Sequence, residues 1–238
     1  MIRINKWLSE MGVCSKKQAD RLISKGLVKV DDRPAFLGMK VPLDAKVEVK
    51  GVAVSMRPKP VFLLYNKPVG IVCTHDVSVE NNLEDAISYP QRVFAVGRLD
   101  KASEGLLLLT NQGDIVNKLM RAENKHKKNY RVWLDKPIDN VFIKKMSQGV
   151  EILNTKTLAC EVKKIAENCF QIVLVQGLNR QIRRMCKALG YRVLRLQRTG
   201  IMMFDLTTLD PGHYRELTAK EQMLLLGSLK KSENHPDT

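Results

Sequence analysis

The sequence predicts an α+β protein in two parts: a small N-terminal domain of helices and short strands, then a larger domain on a mixed, mostly antiparallel sheet. Three observations carry this prediction. Short apolar runs of strand length, such as FLLY, LLLL and FQIVL, recur between Gly, Pro, Asn and Asp. They follow one another in hairpin-like succession with helical patterns between only some of them, unlike the strict alternation of a doubly wound fold. A polar, Pro-containing stretch at residues 53–60 reads as a linker between the two domains.

The elements follow in order. Residues 2–11 have helical spacing (Ile4, Trp7, Leu8, Met11) and stop at Gly12. Ser15-Lys-Lys-Gln18 is a capping box; the helix it opens runs to Lys25 and is closed by Gly26. On it Ala19, Leu22 and Ile23 lie together, and Lys17, Arg21 and Lys25 recur at i, i+4 and i+8 on another side. Short strands at 27–30 and 47–49 are joined through the turn-rich DDRP. The expected domain spans 1–55, followed by a linker at 56–60, a second domain at 61–229 and a polar tail at 230–238. Residues 61–74 read as strand, Pro/Gly turn and strand, and NLEDAIS as a short helix. Residues 93–96 and 106–109 read as strands buried on both faces, because nothing polar interrupts them. The loop between them must reach the surface, which sets Arg98 and Asp100 at the rim of the core. Helices are expected at 114–121, 138–148, 179–189 and 218–226, strands at 130–134, 161–165, 170–175, 191–198 and 213–217, and a basic loop at 125–128.

The chain has 238 residues and is 44% hydrophobic, enough for a real core. No run reaches the roughly 18 apolar residues of a membrane span. The opening MIRINKWLSE is charged and lacks the apolar core of a signal peptide, so a cytoplasmic protein is expected. Cys14, Cys73, Cys160, Cys169 and Cys186 are odd in number and show no C-x-x-C spacing, which argues against a disulfide framework and a zinc site. Forty Lys and Arg against 25 Asp and Glu leave a net charge of +15. Residues 168–204 contain no acid at all, while Arg180, Arg183, Arg184, Lys187, Arg192, Arg195 and Arg198 fall inside. Such clustering points to a polyanion, nucleic acid ahead of membrane, since no amphipathic anchor or lipidation signal accompanies it. On the helix at 179–189, Arg180, Arg183, Arg184 and Lys187 share one face, opposite Ile182, Met185, Cys186 and Leu189. Neighbouring cations repel by roughly a few tenths of a kcal/mol per pair. No intrahelical acid relieves them, so RNA phosphate, a carboxylate or both are expected there.

The segment LSEMGVCSKKQADRLISKGLVKVDDRP resembles the S4-type RNA-binding domain. GRLDKASEGLLLLTNQGD, the upstream NKPVGIVCT, Lys128-Asn129-Tyr130 and GLNRQIRRMCKALGY together resemble the pseudouridine synthase family of the small-subunit (RsuA) type, in the family's order and over essentially the whole chain. The resemblance implies an isomerase that converts uridine to pseudouridine in ribosomal RNA. It implies Asp100 as the catalytic aspartate, Tyr130 as the tyrosine packed on the target base and Arg183 as the basic residue paired with the aspartate. Arg98 would help hold the flipped nucleotide, and Ile182 would line the pocket. The segment VNKLMRAENKHKKNYRVWLDKPI most resembles members of that family that act on large-subunit ribosomal RNA, a resemblance that implies 23S ribosomal RNA as substrate, with transfer RNA a second candidate. Arg180, Arg184, Lys187, Lys17, Arg21 and Lys25 are the expected RNA contacts. No cofactor, metal or protein partner is implied, and a monomer is expected. Asn129 stands where relatives often carry an acidic residue, which makes this loop more basic.

The chemistry agrees with the resemblance. Uridine and pseudouridine are isomers, so breaking N1–C1′ and rejoining through C5 requires neither a redox cofactor nor ATP. The step needs an ionised carboxylate near the sugar, as nucleophile at C1′ or base at C2′. Burial raises a carboxyl pKa, and a neighbouring guanidinium lowers it again. A stacked base must be extruded, at a cost of about a few kcal/mol, into a pocket offering an aromatic face. Two other readings remain open. One is a non-catalytic S4-type RNA-binding or ribosome-assembly factor. The other is a nucleosidase or glycosidase, which needs a second carboxylate about 5–10 Å from the first; Glu104 is the nearby candidate. Trp7, Trp133 and Phe204 are read as core, and His75, His126 and His213 as surface or loop residues.

Overall fold

The computed structural model describes residues 1–54, 58–120 and 126–233. Residues 55–57 of the expected linker, Arg121, Lys125 of the basic loop and the tail from 234 lie outside these. The chain forms two compact units: Met1–Val61 joined by Tyr89–Phe94 and Asn111–Gly113, and the remainder.

The first unit contains β1 (Ile2–Arg3), α1 (Ile4–Glu10), α2 (Lys16–Ser24), β2 (Val28–Val30), β3 (Arg33–Pro34), β4 (Lys40–Val41), β5 (Val47–Val49) and β6 (Val52–Ala53). The first helix begins two residues later than its spacing suggests, because Ile2 and Arg3 pair with Val41 and Lys40. The capping box forms as expected: Ser15 Oγ accepts from the Gln18 amide at 3.1 Å, and Gln18 Oε1 accepts from the Ser15 amide at 2.9 Å. Ile4, Trp7, Leu8, Ala19, Ile23, Val28, Val30 and Val47 fill the core, and Trp7 Nε1 donates to Leu43 O. Asn111 secures the returning segments, accepting from the Val61 amide and donating to Lys59 O and Gln91 Oε1.

The second unit is built on β7 (Phe62–Lys67), α3 (Leu83–Ala86), β8 (Phe94–Val96), β9 (Glu104–Thr110), α4 (Gly113–Met120), β10 (Lys128–Leu134), α5 (Asn140–Ser147), β11 (Glu151–Ile152), β12 (Thr155–Lys156), β13 (Glu161–Ala166), β14 (Cys169–Leu174), α6 (Gln181–Ala188), β15 (Val193–Ile201), β16 (Phe204–Asp205), β17 (Tyr214–Glu216) and α7 (Ala219–Glu233). The main path of its sheet is β13-β14-β10-β15-β9-β7-β17. Every neighbouring pair on that path is antiparallel except β15 with β9. At one end Val132, Leu134, Phe170 and Ile172 pack against Phe142 and Met146 of α5 and Ile182, Met185 and Cys186 of α6. At the other, Phe62, Leu64, Leu106 and Leu108 pack against Leu119 of α4 and Leu225 and Leu229 of α7. Each such buried side chain is worth about 1.5–3 kcal/mol over leaving it exposed. Leu63, Tyr65, Leu107 and Leu109, in the alternate phase, are also buried. The uninterrupted run of β9 is thus covered on both faces, as its composition predicts.

Several expectations need correction. Residues 71–74 form no strand, only an isolated bridge from Val72 to Asn82; the Lys67 ammonium binds Pro68 O and Ile71 O and wraps this segment around the end of β7. Within β8 only Val96 is buried, so it is not the doubly covered strand expected at 93–96. The last helix runs on to Glu233, making the start of the expected tail helical.

Two outcomes follow for stability. Gly105 has φ +112°, and a Cβ there would stand 2.2 Å from Arg198 O. Gly105→Ala should cost about 3 kcal/mol or more, read by urea or thermal melting. At the start of α7, Arg215 grips Glu221 through two bonds of 2.8 and 2.7 Å, and the Thr218 amide donates at 2.8 Å. The Arg215 bond first, helped by Thr218, holds the Glu221 carboxyl at about 2 against an ordinary 4.5. Its stabilisation is therefore full above pH 4.5 and lost as the pH falls towards 2. Because the Arg215 side chain is 39% exposed, solvent screening discounts this, and Glu221→Gln should cost about 1 kcal/mol at neutral pH. It should also flatten stability over that acid range.

Candidate active site

One row of the sheet organises the site. Across β14, β10, β15, β9 and β7 the partners are Ile172, Tyr130, Arg198, Gly105 and Lys67. Residues paired across neighbouring strands project to the same face, so Tyr130, Arg198 and Lys67 line one side, with a glycine between the two cations. The turn carrying Asp100 enters β9 at this row. Arg98 is exposed, Leu99 buried and Asp100 half-buried. The rim position expected for Arg98 and Asp100 is what the fold provides.

The turn is held mainly by cations bonded to neutral oxygens. Arg183 Nη2 donates to Ala102 O at 2.8 Å and Ser103 Oγ at 3.3 Å, and Nη1 to Val193 O. Its Nε is buried without a partner. Lys67, fully buried, donates to Pro68 O and Ile71 O, both at 2.8 Å. Arg198 Nε donates to Leu106 O at 2.6 Å. Backbone bonds complete the frame: Gly70 N–H to Lys101 O, and Ser103 N–H to Asp100 O. Leu99 N–H donates to Cys73 Sγ. No ion pair joins Asp100 to Arg183 among the described residues, which corrects the expected direct contact. The guanidinium is drawn to Ala102 and Ser103, two and three residues along the turn, and acts on Asp100 through its charge.

Burial, then Arg180, pushes the Arg183 guanidinium down, while Asp100 and Cys186 oppose this. Burial likewise pushes the Lys67 ammonium down; Cys73, Asp100 and Glu104 raise it and Arg198 lowers it further. Lys128 is lowered by burial and by Arg198. Glu104, one residue out of phase with Gly105, accepts from Arg195 at 2.6 Å, so its charge is already matched.

Other sequence-predicted residues are distributed more widely. Tyr130 is half-buried against the α6-side core, which also contains Ile182. Arg180 is the N-cap of α6 with φ +49°, outside the helix, so the four cations do not share one helical face. Arg184 folds back on Asn179, its Nε to the carbonyl and Nη2 to Oδ1, and Lys187 is exposed. In the other unit Lys17, Arg21 and Lys25 are exposed as a basic face. Trp7 and Phe204 are core, whereas Trp133 is only half-buried, with the guanidiniums of Arg195 and Arg131 4.6 and 6.0 Å from its ring. Sequence reasoning missed Lys67, Ser103 and Arg198. The signal was present: Lys67 keeps the phase of the buried Leu63 and Tyr65, and Arg198 that of the buried Leu196 and Gly200.

Residues 61–188 match the RNA pseudouridylate synthase family, and residues 2–47 match the S4 domain. The chain is 46% identical over 233 residues to the dual-specificity RNA pseudouridine synthase RluF of Escherichia coli K12, covering 97% of this chain and 80% of that protein. It is 34% identical over 230 residues to the ribosomal large subunit pseudouridine synthase B of Bacillus subtilis, covering 93% and 94% respectively. A crystal structure of a pseudouridylate synthase aligns with a TM-score of 0.69 over 94% of this chain and all of that one, at 23% identity, and so shares the fold. The family match spans more than half the chain and the curated relatives span nearly all of it: the chain belongs to the RNA pseudouridylate synthase family and carries an S4 domain at its N-terminal end.

Proposed function

We propose that this protein isomerises specific uridines to pseudouridine in ribosomal RNA, chiefly 23S ribosomal RNA, with Asp100 as the catalytic carboxylate. The observation that carries the assignment of Asp100 is its turn: a half-buried carboxylate at the rim of the sheet, coupled to the buried Lys67 and the half-buried Arg183, whose hydrogen bonds go to neutral oxygens. Transfer RNA as a second substrate rests on the likeness to a dual-specificity enzyme. In this reading a target uridine leaves its stack and lies on Tyr130, with Arg98 at the rim holding the flipped nucleotide. Asp100 acts at C1′ or C2′, N1–C1′ breaks, the uracil turns, and C5 bonds to C1′. The C5 proton then leaves to restore aromaticity.

Residues 1–55 serve as the S4-type RNA-binding part, 56–60 as linker, 61–229 as the catalytic part and 230–238 as tail. Lys17, Arg21 and Lys25 supply phosphate contacts, and Arg180, Arg184 and Lys187 contact RNA near the pocket. The enzyme acts as a cytoplasmic monomer. No helix among the described residues is long and apolar enough to cross a membrane. A hydrolytic reading needs a second free carboxylate, and Glu104 is committed to Arg195. A purely RNA-binding role leaves Lys67 and Arg183, both coupled electrostatically to Asp100, without a use.

Asp100→Asn should abolish tritium release from C5-labelled uridine in RNA while affinity stays within about threefold; retained turnover would reject Asp100, and free uracil in the products would favour hydrolysis. Arg183→Ala should reduce the single-turnover rate at saturating RNA by about a hundredfold or more, a loss of roughly 3 kcal/mol of transition-state stabilisation. Lys17→Ala should instead weaken binding and lower its salt slope by about one. Equal rate losses in these two variants would overturn the division of labour.

A further inference from the structure

Arg198 is 2% exposed, and its Nη2 is buried with no hydrogen-bond partner. Among the described residues its hydrogen bond is the one Nε donates to Leu106 O. A buried charge without a carboxylate is costly, and an apolar side chain would close this row of the sheet at lower cost. No ion pair to it exists among the described residues: Glu104 on the adjoining strand stands in register with Gln197 and is matched by Arg195. Lys67 and Arg183 both couple to Asp100, and Arg198, in register with Gly105, couples to Lys67, so that with Glu104 matched these three cations face one unmatched carboxylate.

The reaction explains what such a balance is for. Attack of the carboxylate at C1′ forms an ester, and uracil departs with the N1 electron pair. Removal of the C2′ proton leaves a carboxylic acid, and uracil again departs with that pair. By either route one negative charge begins on Asp100 and ends on the detached base, within the same small volume. Fixed positive charge that accepts the anion in both places needs no rearrangement as the bond breaks.

We propose that Arg198 is a positioning residue: its buried guanidinium, aligned with Lys67 across Gly105, holds the start of β9 behind the Asp100 turn and gives the pocket the excess positive charge that accepts the uracil anion. This rests on the assignment of Asp100 as the catalytic carboxylate. Arg198 does not touch the substrate; it acts through the Leu106 carbonyl and through its field. The glycine at position 105 leaves the row open between the two cations, and the close approach of its Cα to Arg198 O fixes their spacing.

The test compares Arg198→Gln, which keeps a donor but removes the charge, with Arg198→Lys, which keeps the charge. Single-turnover tritium release at saturating RNA, RNA affinity and thermal melting are measured on the full chain, with Asp100→Asn alongside. Arg198→Gln should lose at least about a hundredfold in rate with affinity within about threefold, and Arg198→Lys should recover to within about tenfold of the parent. A folded Arg198→Gln at the parent rate overturns the proposal, as does an equal loss in both variants. Should Arg198→Gln not melt cooperatively, the charge-preserving Arg198→Lys and Lys67→Arg decide: a hundredfold rate loss in either, once folded, rejects the field. If Asp100→Asn keeps turning over, the assignment of Asp100 falls; if it is inactive while Arg198→Gln works normally, only the role of Arg198 falls.

Discussion

The candidate site depends on cations that donate to neutral oxygens. Lys67, Arg183 and Arg198 bind the carbonyls of Pro68, Ile71, Ala102, Val193 and Leu106. A carbonyl satisfies a donor without cancelling its charge, whereas a carboxylate does both. The same three side chains therefore shape the backbone around Asp100 and leave a positive potential there. Had Asp100 itself been locked in a short ion pair with Arg183, its oxygens would be less available for chemistry. Tethering the guanidinium to Ala102 and Ser103 keeps it near without occupying the carboxylate.

The sheet makes this arrangement possible through one parallel contact in an otherwise antiparallel path. Where β15 meets β9, Arg198 stands in register with Gly105, and Gly105 stands in register with Lys67. A side chain at position 105 would collide with the Arg198 backbone. Alternation along β9 then sends Glu104 the other way, to Arg195. The matched acid Glu104 thus opens β9, and Asp100 in the preceding turn makes no ion pair among the described residues. Alternation along β9 sets the face of Glu104, while Asp100 stands in the turn before the strand begins.

Charge is used differently in the two units. In the N-terminal unit Lys17, Arg21 and Lys25 lie exposed on a helix whose opposite side fills a small core, an arrangement suited to salt-sensitive phosphate contact. In the larger unit several cations are withdrawn from solvent or folded onto protein groups. Arg184 rests on Asn179, and Arg195 and Arg131 lie near the Trp133 ring. A net charge of +15 therefore overstates how much of the surface is available to RNA.

Local pattern alone determined much. The capping box at Ser15, the doubly buried strand of Leu106 to Leu109, the amphipathic helix carrying Ile182 and Met185, and the surfacing of Arg98 and Asp100 all follow from spacing and composition. These depend on neighbours a few residues apart. The tertiary structure alone decided where the guanidinium of Arg183 is tethered, why Arg180 falls outside its helix, and which face Glu104 joins. It also revealed the line from Tyr130 through Arg198 to Lys67. The face of Glu104 and this line rest on register between strands distant in sequence, which a one-residue shift would reverse, and the Arg183 tether rests on a helix meeting a turn eighty residues away in sequence. A buried cation in an apolar phase can hint at such a line, but its partners exist only once the sheet has closed.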